Sequence, residues 1–132
     1  MGTVFRILGT LAVSAAAAAA APSYTVVLYV ANQSVAVNPV DIKVTVDNDA
    51  VVEGAFYAGA SNPWRRYELK LAAGRHTLCA FSRKGAAAYK RVFELTGDRW
   101  VGLAYRYAPP AASRDVVPRH FWVELRAKPW GR

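Results

Sequence analysis

PVDIKVTVDNDAVV, residues 39–52, is the stretch that decides the fold. Ile42, Val44 and Val46 alternate with Asp41, Lys43, Thr45 and Asp47. Side chains on a strand point to opposite faces in turn, so this pattern predicts a half-buried strand with one wet side. Asp47-Asn48-Asp49 predicts a tight turn, because Asn and Asp tolerate positive φ and bond their own backbone. A return strand follows through Val51 and Val52 towards Phe56 and Tyr57.

Outward from this hairpin the same period recurs. Upstream, residues 24–31 (YTVVLYVA) are apolar on both faces. That suits a strand covered on both sides, or an edge strand packed under a loop. Downstream, the loop 58–63 leads to Trp64, and Tyr67, Leu69 and Leu71 then alternate with Arg66, Glu68 and Lys70. Turns at Ala72-Ala73-Gly74, Arg83-Lys84-Gly85 and Thr96-Gly97-Asp98 separate strands over 75–82, 88–95 and 99–107. Residues 108–119 hold three prolines and read as an irregular loop. The last strand spans 120–126, with Phe121, Val123 and Leu125 inward, before Lys128-Pro129-Trp130. No helical period appears after residue 22. The expectation is all-β: a single antiparallel β-sandwich of seven or eight short strands over residues 21–132.

Residues 1–20 read as a signal peptide. Arg6 is followed by the apolar run 7–13, then by Ser14 and seven alanines. This is a short positive region, an apolar core and a small-residue cleavage zone. An uncleaved anchor is the rival, but a spanning helix needs about 20 strongly apolar residues and alanine is only weakly apolar. The expected protein is therefore exported, periplasmic or extracellular, with no stable membrane span after cleavage. Cys79 is the only cysteine, so no intramolecular disulfide exists. Its setting in Leu78-Cys79-Ala80-Phe81 reads as a small buried hydrophobe.

Three segments carry a resemblance: PVDIKVTVDNDAVV, YELKLAAGRHTLCAFSRKG and KRVFELTGDRW. They resemble small exported bacterial domains with an immunoglobulin-like or transthyretin-like sandwich. The shared features are a strand, a short acidic turn and a strand, then a leucine-ended strand with glycine (Gly74) and histidine (His76) after it. Asp47-Asn48 stands where such domains usually turn on glycine. Asn32-Gln33-Ser34 with Pro39-Val40-Asp41-Ile42, and Pro118-Arg119-His120-Phe121, also resemble a family of secreted bacterial proteins. The resemblance covers most of the domain and implies a fold rather than an activity.

Catalytic and metal chemistry find little footing. Nucleophilic catalysis needs a nucleophile, a base and an orienting group within reach. Ser82 and His76 lie on one side of one strand, roughly 20 Å apart at about 3.3 Å per residue. Two histidines and one cysteine do not supply the three protein ligands of a catalytic zinc. Asp47-Asn48-Asp49 with Glu53 lacks calcium-loop spacing and reads as a turn. Asn32-Gln33-Ser34 fits a glycosylation sequon. No catalytic residue, metal ligand or cofactor is expected.

Charge and aromatics are the remaining signals. The chain carries 17 Lys and Arg against 9 acids, a formal +8. Such a field attracts polyanions, but the bases are scattered over several strands, as solvated surface charge also would be. Export argues against nucleic acid. Trp64, Trp100, Trp122 and Trp130 fall at strand ends or opposite the core-facing positions. They either cover the sheet as core or stack on a ligand; for the second case the candidate surface is Trp64, Arg66, Trp100, Arg106, His120 and Trp122. The first expectation is a non-catalytic binding or accessory module with a protein or envelope partner. The alternative is an envelope polyanion or polysaccharide binder using that Trp/Arg face. A small secreted enzyme is the third reading and has the fewest residues behind it.

Overall fold

A computed structural model describes residues 21–112 and 114–131. The expected signal peptide, residues 1–20, lies outside the described residues. Eight strands form: β1 (Ser23–Asn32), β2 (Val40–Val46), β3 (Asp49–Phe56), β4 (Arg65–Ala72), β5 (Gly74–Ser82), β6 (Ala87–Leu95), β7 (Arg99–Ala108) and β8 (Val117–Arg126). They make two four-stranded sheets, β4-β1-β7-β8 and β3-β2-β5-β6. The described residues hold no helix.

The β2–β3 hairpin forms as its alternation requires. Ile42, Val44 and Val46 are buried, and Asp47 and Asn48 turn the chain at φ 52° and 72°. Both central residues of the turn are left-handed, the geometry that matches the twist of the flanking strands. The core lies between the sheets: Val26, Leu28, Val30, Leu103 and Tyr105 from the first meet Val40, Ile42, Val44, Phe56 and Leu78 from the second. Burying this apolar area drives folding, at about 25 cal/mol per Å².

Three expectations are corrected. The sandwich is not antiparallel throughout, because β1 pairs with β7 in parallel. The chain crosses between sheets after β1, β3, β4 and β6, and a parallel pair needs such a crossover. The last strand begins at Val117, inside the stretch read as a loop. Pro118 is tolerated there because β8 is an edge strand. Cys79 is not buried; it is half-exposed on the outer face of the second sheet, paired with Thr45 and Lys90.

The two ends of the sandwich differ. At the loop end, β1, β3, β5 and β7 finish and β2, β4, β6 and β8 start, as the pairs Val40–Phe56, Val30–Arg65, Ser82–Ala87 and Ala108–Val117 show. Asn32 fastens this end: its buried Nδ2 donates to the Val37 and Phe56 carbonyls at 2.8 and 3.1 Å. The sequon asparagine is thus a structural clamp. At the opposite, turn end, Asp47 accepts from the Thr77 amide at 2.8 Å and meets His76.

Candidate functional site

The outer face of the sheet β4-β1-β7-β8 is built by alternation. Inward positions fill the core, so Arg66, Glu68 and Lys70 of β4, Val27, Tyr29 and Ala31 of β1, Trp100, Gly102, Ala104 and Arg106 of β7, and His120, Trp122, Glu124 and Arg126 of β8 share the other side. The register sets the rows. Tyr29 stands between Arg66 and Gly102, Ala104 is opposite Trp122, Arg106 is opposite His120, and Trp100 is opposite Arg126.

All six candidate residues lie on or beside this face, and they are not equally joined. Trp64 and Trp122 meet edge to face, with ring centroids 6.5 Å apart. The Arg106 guanidinium lies 4.7 Å from the Trp122 ring, and its Nε donates to Gln33 Oε1 at 2.8 Å. Arg66 sits across from Tyr29 and donates to Glu68 at 3.1 Å. The Tyr29 hydroxyl, and then Glu68, hold its guanidinium further towards the charged form. His120 is placed only by register, and its Nδ1 faces the Pro118 carbonyl oxygen at 2.7 Å. Trp100 shares the face but stands a row away, beside Val27.

Sequence reasoning missed three members. Trp130 folds back over the sheet, 6.0 Å from Tyr29 in a perpendicular arrangement, and the Arg126 guanidinium lies 5.0 Å from its ring. Tyr29 was legible as the outward partner of Val27 in an apolar strand. Trp130 was not, because nothing local tells where the segment after β8 turns. The floor under these rings is small. A Cβ on Gly102 would stand 3.0 Å from Trp122 and 3.2 Å from Trp130. Ala31 and Ala104 are buried although they face outward, and Ala104 stands opposite Trp122.

The face can therefore do one kind of chemistry. It offers half-buried ring faces and edges, with guanidinium groups stacked on two of them. Stacked arginine keeps its donors for carboxylate or phosphate oxygens. The two groups the sequence offered for nucleophilic chemistry are committed to the fold. Ser82 Oγ donates to Asp41, and His76 is held by Asp47 and Ala72 at the other end of the strand. Among the described residues, no group of three His, Cys, Asp or Glu gathers to hold a metal ion. No family model matches the chain, and no curated protein matches it.

Proposed function

We propose that this chain is an exported, non-catalytic binding module acting in the cell envelope or outside the cell, and that the aromatic face of the sheet β4-β1-β7-β8 binds an anionic polysaccharide there. The observation behind the reading is the row Trp64–Trp122–Trp130–Tyr29 with Arg106 and Arg126 stacked on it. Rings of this kind lie against the apolar faces of sugars, while arginine binds carboxylates in two-pronged fashion. Export rests on the composition of residues 1–20.

The strand order favours the transthyretin-like member of the two sandwich types the sequence resembles. In the immunoglobulin arrangement the first two strands share a sheet; here β1 lies between β4 and β7, and β2 is in the other sheet.

The test is binding of residues 21–132 to isolated cell envelopes and to a uronic-acid polysaccharide, from low to high salt. A ligand held through arginine is lost steeply as salt rises, because screening weakens charge pairing. Binding that survives both high salt and Trp122→Ala would move the site to another surface. No binding to either material at any salt would discard the reading.

A further inference from the structure

A different surface carries a second conclusion. Val35 is 79 % exposed, Tyr57 60 % and Val116 52 %, and each belongs to a different loop at the loop end of the sandwich. Val117, at the start of β8, is exposed beside them. Large apolar side chains in three separate loops, none packed on the core, give folding nothing. Exposed apolar side chains on three loops of one end mark that end for contact with an extended apolar surface.

Basic residues surround them. Arg83, Lys84 and Arg114 are exposed on the same end. Among the described residues none of the three forms a salt bridge. Asp41, the nearby acid, is already committed: its carboxylate accepts from the Arg83 and Lys84 amides and the Ser82 hydroxyl, each at 2.9 Å. Asp115 is the other acid on these loops. The turn end carries Asp47, Asp49 and Asp98. Arg75, Arg99 and Lys128 offset these acids, so the turn end is mixed in charge, while the loop end combines exposed apolar side chains with an excess of bases.

The loops are also held in place. Ser34 Oγ donates to the Tyr107 carbonyl at 2.8 Å, and the Ala58 amide donates to Asn38 Oδ1 at 2.9 Å. A pre-set tip loses little conformational entropy when it docks.

We propose that the loop end docks on an anionic lipid bilayer. Val35, Tyr57 and Val116 enter the headgroup region, and Arg83, Lys84 and Arg114 lie over the lipid phosphates. Apolar insertion and attraction to anionic lipid are the two terms of interfacial binding, and tyrosine, half apolar and half wet, suits that depth. Trp64 shares a loop with Tyr57 and Arg106 bonds Gln33, so the aromatic face begins at the docking end and runs away from the membrane along the strands towards Trp100 and Arg126.

The test uses residues 21–132, the exported species proposed above, in a Cys79→Ser background, with an environment-sensitive fluorophore on Val35→Cys or, at the far end, on Ala50→Cys. Adding phosphatidylglycerol–phosphatidylcholine vesicles should shift the Val35→Cys emission to the blue and leave Ala50→Cys unchanged. Pure phosphatidylcholine should give much the weaker response. Each basic residue near an anionic membrane strengthens binding about fivefold, so Arg83→Gln, Lys84→Gln and Arg114→Gln together should weaken it about a hundredfold. The Asp41 contacts at Arg83 and Lys84 are to backbone amides, so these variants keep the turn. No blue shift, an equal shift at Ala50→Cys, or unchanged binding in the triple variant overturns the proposal. An acidic protein partner would show itself as binding to cell extract with none to vesicles, which also overturns it.

Discussion

The hydroxyl of Tyr105 donates to the Gly85 carbonyl at 2.8 Å, and its ring lies so close that a Cβ on Gly85 would stand 2.6 Å from Cε1. Tyr105 is fully buried in β7, and Gly85 is in the turn between β5 and β6, so this contact joins the two sheets at the loop end. Ser82 Oγ, 2.8 Å from the same hypothetical Cβ, closes the site from the other side.

Gly85→Ala therefore has nowhere to put its methyl group. Forcing a methyl into a packed site costs about 1–3 kcal/mol, and thermal unfolding should show a Tm lower by roughly 5–15 °C. Tyr105→Phe leaves the room intact and removes one buried hydrogen bond, so it should cost about 1–2 kcal/mol. A Gly85→Ala protein as stable as the parent would show that the turn moves freely away from the ring.

Asp41 should behave as the anchor of the same turn. Burial works to raise its pKa, but the bonds from the Arg83 and Lys84 amides and the Ser82 hydroxyl outweigh that and lower it. A carboxyl lowered on folding adds stability above its unfolded pKa of about 3.8, and that stability is lost as pH falls through the folded value. Asp41→Ala should cost about 1–3 kcal/mol at neutral pH and should flatten the acid limb of the stability profile.

His76 sets the dependence on the alkaline side. Its Nδ1 faces Asp47 Oδ2 at 2.5 Å and its Nε2 faces the Ala72 carbonyl at 2.6 Å. Both partners are acceptors, so both ring nitrogens must donate, and the ring is favoured as imidazolium. Burial opposes the charge, but the Ala72 carbonyl and the Asp47 carboxylate together outweigh it and raise the pKa above 6.5. Stability from this group is fully present below about pH 6.5 and is lost as pH rises through the folded pKa. Urea unfolding across that range should show the loss, and Asp47→Asn, which keeps an acceptor for the Thr77 amide, should reduce it.

Gly102 offers a way to close the aromatic face without touching the core. Gly102→Val would push against Trp122 and Trp130 while pointing away from the sandwich interior. Polysaccharide binding should fall about as far as in Trp122→Ala, by roughly thirtyfold if that ring is a central anchor. Gly102 is buried beneath the rings, so displacing them should also cost about 1–3 kcal/mol, and binding is compared at a temperature where both proteins are folded. Equal binding by Gly102→Val and the parent would separate the rings from recognition.

Much of the architecture was legible because a strand records its burial in every second residue. Ile42-Val44-Val46, Tyr67-Leu69-Leu71 and Val101-Leu103-Tyr105 each name an inward face, and all three point into the core or its margin. The same rule put Arg106 and Trp122 on one outer face. Reading burial from apolar neighbours instead of alternation failed at Cys79. Alternation between Leu78 and Ala80, both buried, sends Cys79 outward. The rule itself failed at Asn32, whose short polar side chain carried no sign that it would satisfy carbonyls from residues 37 and 56.

By itself the sequence determined the hairpins, the inward and outward sets of nearly every strand and the overall basic charge. These follow from local periodicity and turn chemistry, which act over a few residues. Only the tertiary structure decided that β1 lies beside β7 in parallel, that Trp130 returns to roof Gly102, and that Val35, Tyr57 and Val116 share one end. Those are pairings between residues far apart in the chain. They depend on which sheet each strand joins and how the two sheets close over the core, and no short stretch of sequence holds that information.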